Sequence, residues 1–335
     1  MPRVPNLRVA VVGAGLMGRA HARAALRAGA KVVAVSDADL VVAKKVALAL
    51  GTGALYGSLD EVITPDRIDA VHVCTPAGSH LESAAMALDR GIHVLCEKPV
   101  AETVDETQAL FDRAARKGVI LCPSQQFPFQ QGAVDAAAHL AAIGKIRWIT
   151  TEMCTAGAAT LVDSLHDEIV LNILPHPLSL IYGFLGGAIS DGTWSAVRAE
   201  RGEMLVTGVV RDTGISIVLS THGRPTANSM RLIGERGAIT LDLFHGFSIT
   251  ESGRVSRARK FVRPFAASAK LLAAATRNSV SRGLARETEF PGLTELCRRF
   301  YLAADKRAKT PITATEALDI ALVRDRIIAK LMTPP

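Results

Sequence analysis

A glycine-rich turn near the start of the chain constrains its fold more than any other feature. The segment LRVAVVGAGLMGRAHARAAL (7–26) has the pattern of an apolar strand, a tight turn and a helix, with glycines spaced as GxGxxG. The first glycine allows the turn, the second lets the backbone approach a pyrophosphate, and the third lets the helix pack closely on the strand. The positive end of the helix dipole also favours a diphosphate. The predicted dinucleotide contacts are Gly13, Ala14, Gly15, Leu16, Met17 and Gly18.

An acidic residue at the end of the second strand bears on the choice of dinucleotide. The segment KVVAVSD (31–37) ends in Asp37, 19 residues after Gly18. A carboxylate there can bind both ribose hydroxyls but would repel a 2′-phosphate, and neither Ser36 nor Ala38 supplies a cation to hold one. We therefore predict NAD rather than NADP. The alternative is a turn aspartate that contacts no ligand.

Strands and helices alternate through residues 1–123. The strands DAVHVCTP, IHVLCE and VILCP are separated by the helical segments SHLESAAMALDRG and TVDETQALFDRAARKG. This alternation predicts an α/β fold with a doubly wound parallel sheet and right-handed crossovers. Ligands of such sheets bind beyond the carboxyl ends of the strands. Thr75-Pro76 and Glu97-Lys98-Pro99 each follow a strand, so we expect both at that edge.

Composition places limits on partners and compartment. The length of 335 residues favours two domains, and no apolar run approaches the roughly 20 residues that span a bilayer. The five cysteines are dispersed without a CxxC pair, and the histidines and acids have no metal-ligand spacing. With no secretory signal at the N-terminus, we expect a cytoplasmic protein with reduced thiols and no metal.

The net charge of +7 arises from one part of the sequence. Residues 252–286 contain nine basic residues and no acidic one, whereas the other 30 basic residues face 32 acidic residues. From Pro264 to about Leu284 this stretch has the composition of a helix. It could pack on its own domain or a subunit partner, dock on an anionic membrane surface, or bind a nucleotide-sugar diphosphate. Nucleic acid is the fourth alternative and is disfavoured, because no aromatic or recognition-helix pattern accompanies the charge.

The motifs GAGLMG (13–18), Asp37, TPAGSH (75–80) and EKP (97–99) occur in an order and spacing that resemble one protein family. This is the glucose–fructose oxidoreductase / inositol dehydrogenase / rhizopine-catabolism (Gfo/Idh/MocA) family. The resemblance implies a Rossmann domain followed by an α+β domain with a mixed, largely antiparallel sheet. We assign the second domain to residues 124–312, including a basic helical excursion at 252–286, and a closing helix to 313–335. GISIVLSTH and SMRLIGERGAITLDL supply strand patterns there, the latter as two strands. Members of the family suggest a homodimer or homotetramer.

The resemblance also assigns roles around Lys98. It implies that Lys98 carries the proton and donates a hydrogen bond to the reacting oxygen, next to a cis Lys98–Pro99 bond. An ammonium beside a cationic nicotinamide has a lowered pKa, which suits acid–base work. The alternative is a solvated lysine paired with Glu97. The further residues that the resemblance places at the cofactor are Thr75, Pro76, His80 and Glu97.

A second element of the resemblance is altered in this chain. LNILPHPLSLIYGFLG (171–186) corresponds to the family's Asp-x-Gly-x-His, with His176 on the histidine but Asn172 on the aspartate. An amide can hydrogen-bond a hydroxyl but cannot accept its proton near neutral pH. Proton transfer would then rest on Lys98, His176 or both, with His166 and Asp167 as possible substitutes for the acid. The alternative makes His176 a structural residue at a helix start.

The segment PSQQFPFQQGAV (123–134) lacks the Asn-x-Arg-Phe that many members of the family have at this place. Gln125 and Gln126 could hydrogen-bond a polyol or only line a loop. The predicted substrate contacts are Gln126, His166, Asn172 and His176.

These features predict an NAD-dependent oxidoreductase that interconverts a secondary alcohol and a ketone on a sugar, polyol or sugar-derived metabolite. Two alternatives stay open. Tightly held NAD could oxidise a sugar carbon transiently to allow elimination, hydrolysis or epimerisation. The chain could also be a sensor or scaffold that binds NAD without catalysis, as the loss of the family acid at Asn172 suggests.

Overall fold

The computed structural model describes residues 6–51, 53–64, 66–156, 162, 165–253, 257–284, 289–306 and 308–332, with the side chains of 257–260 and 332 excepted. The chain forms two compact units. Unit 1 comprises Met1–Gln126 with Gly292–Ala321, and unit 2 comprises Phe127–Pro291 with Leu322–Pro335.

Unit 1 contains a six-stranded sheet in which every pair of neighbours is parallel, in the order β3-β2-β1-β4-β5-β6. This order confirms the predicted doubly wound sheet, with its switch point between β1 and β4. The strands are β1 (Arg8–Val12), β2 (Lys31–Ser36), β3 (Leu55–Gly57), β4 (Ala70–Val73), β5 (His93–Cys96) and β6 (Leu121–Pro123).

Helices of unit 1 follow local signals in the sequence. They are α1 (Leu16–Arg27), α2 (Leu40–Ala49), α3 (Leu59–Val62), α4 (His80–Asp89), α5 (Val104–Lys117) and α10 (Leu293–Ala304). The α5 helix shows why such a segment is helical. Thr103 and Glu106 form a capping box at its start, and Gly118 ends it in the left-handed conformation that glycine adopts without strain.

The predicted boundaries of the second domain differ from this division. We predict residues 292–312 as part of the second domain, whereas the structure places them in unit 1. The physical reason is that α10 buries Leu296, Phe300 and Tyr301 completely, and Tyr301 reaches His72 on β4. The last helix, α11 (Ala314–Met332), contributes residues to both units.

Unit 2 contains a seven-stranded sheet in the order β13-β12-β11-β7-β10-β9-β8. All neighbours are antiparallel except β7 and β10, so the predicted mixed, largely antiparallel sheet is confirmed. The two strands predicted in SMRLIGERGAITLDL are β11 and β12. The strands are β7 (Ile146–Cys154), β8 (Thr193–Glu200), β9 (Glu203–Val210), β10 (Thr213–Ser220), β11 (Ala227–Gly234), β12 (Gly237–Asp242) and β13 (Phe247–Ser252).

The helices of unit 2 are α6 (Gln131–Ile143), α7 (His166–Ile173), α8 (Pro175–Leu185) and α9 (Arg257–Leu284). Taken together, His166–Leu185 is long and apolar enough to cross a membrane, which corrects the expectation that no segment approaches that length. More than half of the segment, 56%, is buried inside the protein. We therefore assign it to the core of unit 2.

The basic helix begins earlier than predicted. We placed its start at Pro264, in a first turn, whereas α9 starts at Arg257 and holds Pro264 inside it. An interior proline leaves the carbonyl four residues earlier without its amide partner. The described residues around the proline, 261–266, are exposed, and an exposed helix tolerates an interior proline better than a buried one because water can replace a lost partner.

Candidate functional site

The three glycines of the turn after β1 meet different surroundings. A Cβ on Gly13, which has a φ of +92°, would lie 2.5 Å from the Cys74 carbonyl oxygen, and one on Gly18 would lie 1.7 Å from the Gly13 carbonyl oxygen. A Cβ on Gly15 would meet nothing within 4 Å. The fold itself therefore requires Gly13 and Gly18, whereas the space beside Gly15 is left for a ligand.

The start of α1 is suited to an anion. Gly15 is the N-cap and offers no side chain to the first amides, and the first turn contains no acidic residue within the described stretch 6–51. Leu16, which begins the helix, is exposed. Backbone N–H groups at such an end point away from the helix and attract phosphate oxygens.

Asp37 follows β2 and its carboxylate is held against the glycine turn. Its Oδ2 accepts a hydrogen bond from the Ala14 amide at 2.6 Å, and Oδ1 accepts one from the Asp39 amide at 3.0 Å. Each carboxylate oxygen can accept more than one bond. The carboxylate is thus fixed beside the turn with acceptor capacity for ribose hydroxyls, so the residues after β1 and β2 fit a dinucleotide.

Thr75 and His80, which lie in the segment that follows β4, have different environments. The Thr75 hydroxyl oxygen is buried and has no hydrogen-bond partner among the described residues. The buried His80 ring lies between two backbone carbonyls, with Nε2 2.8 Å from the Thr75 oxygen and Nδ1 2.6 Å from the Pro99 oxygen. His80 therefore connects the chain segments that leave β4 and β5.

The segment after β5 contains the lysine on which the functional prediction depends. The Lys98–Pro99 bond is cis, as the resemblance implied. Lys98 is half-buried, so it is not a freely solvated surface residue. Glu97 is buried and its Oε2 accepts a long hydrogen bond from the Lys98 amide at 3.3 Å. The other carboxylate oxygen of Glu97, Oε1, points toward the interior of unit 1.

A chain of buried polar side chains continues inward from Glu97. His21 Nε2 lies 2.9 Å from Glu97 Oε1, His21 Nδ1 lies 3.2 Å from His72 Nδ1, and His72 Nε2 lies 3.0 Å from the Tyr301 hydroxyl. The Ser124 hydroxyl is 3.3 Å from His21 Nε2. Both histidines and Tyr301 are completely buried. We refer to Glu97, His21, His72 and Tyr301 as the buried polar chain.

The buried polar chain has a defined charge state. Burial alone would raise the pKa of the Glu97 carboxyl, but the hydrogen bond from His21 and the neighbouring Lys98 outweigh it and lower that pKa to about 2. Burial lowers the pKa of His72 well below its ordinary value and raises the pKa of Tyr301 well above it. Glu97 is therefore ionised, His21 Nε2 donates to it, and His72 and Tyr301 are neutral.

The sequence analysis did not connect His21 with His72. One feature of the sequence indicates that His21 is buried: it follows Gly18 by three residues, which places it on the face of α1 that packs on the sheet. The contact between His72 and Tyr301 spans 229 residues. No local pattern predicts such a pairing.

In unit 2, Asn172 and His176 lie four residues apart on nearly continuous helix, because Leu174 between α7 and α8 keeps helical dihedrals. Side chains four apart share one helical face. The buried His176 ring stacks on Phe127 with centroids 4.3 Å apart, and Asn172 is half-buried. The structure therefore brings Asn172 and His176 together within unit 2.

His166 and Asp167, the possible substitutes for the family acid, differ in their hydrogen-bond partners. His166 is buried, with Nδ1 2.9 Å from the Thr221 hydroxyl, and its Nε2 has no hydrogen-bond partner in the described part of the chain. Asp167 pairs with Arg198 at 2.7 Å and accepts the Gly202 amide at 2.9 Å. These contacts give Asp167 a structural role within unit 2.

Gln126 lies in unit 1 and is buried. Its side-chain carbonyl oxygen, like that of Gln125, has no hydrogen-bond partner among the residues that the structure describes. A buried acceptor without a partner carries a free-energy cost that a bound hydroxyl would relieve. Across the described residues, no group of three or more metal-ligating side chains comes together.

Comparison with known proteins gives a consistent result. Residues 7–125 match a family described as "Oxidoreductase family, NAD-binding Rossmann fold". D-xylose 1-dehydrogenase (NADP(+)) 2 of Haloferax volcanii is 38% identical over 112 residues, which are 33% of this chain and 34% of that protein. The scyllo-inositol 2-dehydrogenase (NADP(+)) IolU of Bacillus subtilis is 28% identical over 207 residues, covering 57% and 62%. These matches span less than two thirds of either relative.

The fold likeness extends further than the sequence likeness. The structure of GenD2 from gentamicin A biosynthesis in complex with NAD matches with a TM-score of 0.76 at 22% identity, over 98% of this chain and 95% of that one. At this identity the comparison establishes a shared fold.

Proposed function

We propose that this chain, whose residues 7–125 match an oxidoreductase family with an NAD-binding Rossmann fold, is a member of the Gfo/Idh/MocA family. We propose further that it is an NAD-dependent oxidoreductase interconverting a secondary alcohol and a ketone. Its substrate in this proposal is a sugar, a polyol or a metabolite derived from one. The relatives named above include a xylose and an inositol dehydrogenase, which supports that class.

One observation carries the proposal. The glycine turn follows β1, Asp37 follows β2, Thr75 follows β4 and Lys98 follows β5, and these strands are neighbours in one parallel sheet. Their carboxyl ends lie at one edge, so a half-buried ammonium shares that edge with a glycine turn suited to a diphosphate. This supports placing redox chemistry, rather than dinucleotide binding alone, at the edge.

The residues fit NAD better than NADP. The amides of α1 and the open space at Gly15 would hold the diphosphate, and the Asp37 carboxylate would accept the two ribose hydroxyls. A 2′-phosphate would meet that carboxylate and be repelled. The bound nicotinamide would accept or supply the hydride. Two relatives are named for NADP and one neighbour is bound to NAD, so cofactor preference has to be measured on this chain.

Lys98 carries the proton in this proposal. When the alcohol is oxidised, the carbon loses hydride and the hydroxyl proton passes to the Lys98 amine; in reduction the ammonium returns it to the oxygen. The His80 ring lies between the carbonyls of Thr75 and Pro99 and can donate to either, and the Glu97 carboxylate accepts a hydrogen bond from the Lys98 amide. Both contacts hold the backbone from which the amine extends. We propose Asn172 and His176 as substrate contacts, with His176 able to take part in proton transfer and Asn172 limited to hydrogen bonding.

The test compares wild type with Lys98→Met, which keeps the length of the side chain and removes the amine. NAD and NADP affinities are measured by calorimetry, and turnover by NADH absorbance over a panel of sugars and polyols. We expect equal NAD binding and a loss of kcat by a factor of about 10²–10⁴ in Lys98→Met. An unchanged kcat would refute the assignment of Lys98. Product formed without net NADH would establish the redox-neutral alternative instead.

A further inference from the structure

The helix α9 (Arg257–Leu284) presents an apolar face to the outside, which the proposed function does not use. We propose that this face docks on an anionic lipid membrane surface, with the helix lying parallel to that surface. The inference rests on unit 2 alone and goes beyond the proposed oxidoreductase activity.

Among the described side chains of α9, residues 261–284, four basic ones contact the body of unit 2. Arg263 pairs with Glu251 at 3.3 Å, and Arg277 pairs with Asp135. Lys270 Nζ donates to the Thr250 carbonyl at 2.8 Å, and Arg282 donates to the His245 carbonyl at 2.9 Å. These contacts hold the helix on its own unit and leave the side chains of Arg263 and Arg277 largely exposed.

The contact side of α9 is made of small side chains. Half-burial recurs at Ala267, Ala274, Ala275 and Asn278, which follow one another by seven, one and three residues. That spacing describes one stripe along a helix. Asn278 also donates to the His245 carbonyl at 2.9 Å. Because alanines form most of this stripe, docking of α9 on its unit buries little apolar surface.

The large apolar side chains lie on the opposite side. Phe261, Phe265 and Leu272 are 81%, 77% and 70% exposed. They are separated by four and seven residues, which places them on one helical face. Val280 and Leu284 continue the exposed apolar surface at 58% and 83%. Exposed apolar clusters of this kind on a folded surface mark interaction sites.

The charge of the same segment identifies the occupant. Residues 252–286 contain nine basic residues and no acidic one, while the rest of the chain is close to balance. The side chains of Arg263 and Arg277 remain 65% and 72% exposed despite their ion pairs. Long basic side chains beside an apolar face can reach up to lipid phosphates while the apolar residues enter the acyl boundary.

Two other occupants fit less well. Nucleic acid could use the same basic side chains, but it gains nothing from phenylalanines and a leucine at the most exposed positions. A second copy related by a two-fold axis would bring two acid-free basic segments close together, and the like charges would oppose association.

The experiment uses the full chain and two vesicle types, phosphatidylcholine alone and phosphatidylcholine with phosphatidylglycerol. We expect co-sedimentation with the anionic vesicles, weakening as salt is added, and no binding to the neutral ones. The triple variant Phe261→Ser/Phe265→Ser/Leu272→Ser should lose at least tenfold in partition coefficient. Circular dichroism should show unchanged folding, because the three side chains are exposed.

The matched control is Leu48→Ser/Leu55→Ser, which removes two exposed leucines of unit 1, 69% and 54% exposed, and should bind vesicles like wild type. Failure of wild type to bind anionic vesicles would overturn the proposal, as would equal binding by the triple variant. A wild-type oligomer that the triple variant dissociates, without vesicle binding, would overturn it in favour of a second copy. Salt-dependent binding of duplex DNA without vesicle binding would overturn it in favour of nucleic acid. Dinucleotide affinity should be the same in all variants, which separates this test from that of the proposed function.

Discussion

Gly13 and Gly15 lie two residues apart, but substituting them should affect different properties, stability for Gly13 and cofactor binding for Gly15. Gly13→Ala should destabilise the protein by about 2–4 kcal/mol, because its φ is unfavourable for alanine and the Cβ meets the Cys74 carbonyl. Gly15→Ala should change stability by less than about 1 kcal/mol, since that Cβ enters open space. It should weaken NAD binding at least tenfold by occupying the diphosphate's place. Urea unfolding and calorimetry separate the two effects, and strong NAD binding by Gly15→Ala would contradict the predicted site.

His21 is the partner that keeps Glu97 ionised inside unit 1. His21→Leu should cost about 3–5 kcal/mol near neutral pH, because it leaves a buried carboxylate without its donor. His21→Gln, which keeps an amide donor, should recover part of that loss.

The pH dependence gives a second readout for His21. In wild type the native pKa of the Glu97 carboxyl is lowered to about 2. As the pH falls, Glu97 is therefore protonated in the unfolded chain before it is protonated in the native state. Its stabilising contribution is therefore present above about pH 4.5 and is lost on the way down to about pH 2. In His21→Leu burial should raise that pKa, so protonation in acid stabilises the variant. The stability difference between the two proteins should shrink as the pH falls; a constant difference would refute this.

At the scale of elements, Glu316 in the first turn of α11 gives a contribution of the opposite sign. Burial raises the pKa of this half-buried carboxyl to about 7. As the pH rises, the carboxyl loses its proton near pH 4.5 in the unfolded chain but only near pH 7 in the native state. The free energy of unfolding therefore falls between about pH 4.5 and 7 and stays lower at higher pH. Glu316→Gln should remove this fall, making the variant about 1–3 kcal/mol more stable than wild type at alkaline pH after allowance for partial exposure.

Urea unfolding of both proteins on either side of that window measures the effect. The two should be close in stability at the acidic end, where Glu316 is protonated in both states of wild type. Parallel pH profiles over the whole range would show that Glu316 does not titrate differently on folding.

Local signals determine how well each element could be predicted. The α5 helix was predicted as TVDETQALFDRAARKG, and its capping box and terminal glycine both lie within those 16 residues. The start of α9 was not, because Pro264 is a standard first-turn residue and its tolerance inside a helix depends on exposure. Helix propensity can be read from the segment itself, whereas the exposure of the segment is known only once the unit has folded.

At the scale of the whole molecule, the alternation of strands and helices predicted the first sheet and the family resemblance predicted the second. The strand order of the first sheet also brings the predicted dinucleotide residues to one sheet edge. The return of residues 292–312 to unit 1 was not predicted, because no local signal in the sequence marks it. The buried polar chain was missed for a related reason. Tyr301 joins His72 across 229 residues, and a pairing of that range has no periodicity or spacing to reveal it.

The seven-stranded sheet leaves an apolar face on which a second copy could pack. Val197, Leu205 and Val218 lie side by side on β8, β9 and β10, and Val209 is next to Gly214, over which Trp148 lies. Trp148 and the four valine and leucine side chains are 41–60% exposed. A flat face with the same residues on both partners suits a two-fold interface, and a stable one needs about 800 Å² from each copy.

We therefore expect wild type to sediment as a dimer or a multiple of one. Leu205→Glu/Val209→Glu should dissociate it, because charges at the centre of an apolar interface lose their hydration without gaining a partner. Leu48→Glu, at an exposed leucine of unit 1, should sediment like wild type. Dinucleotide affinity should be retained in both variants, since the glycine turn belongs to unit 1. If the double variant keeps the wild-type sedimentation coefficient, this face is not the interface between copies.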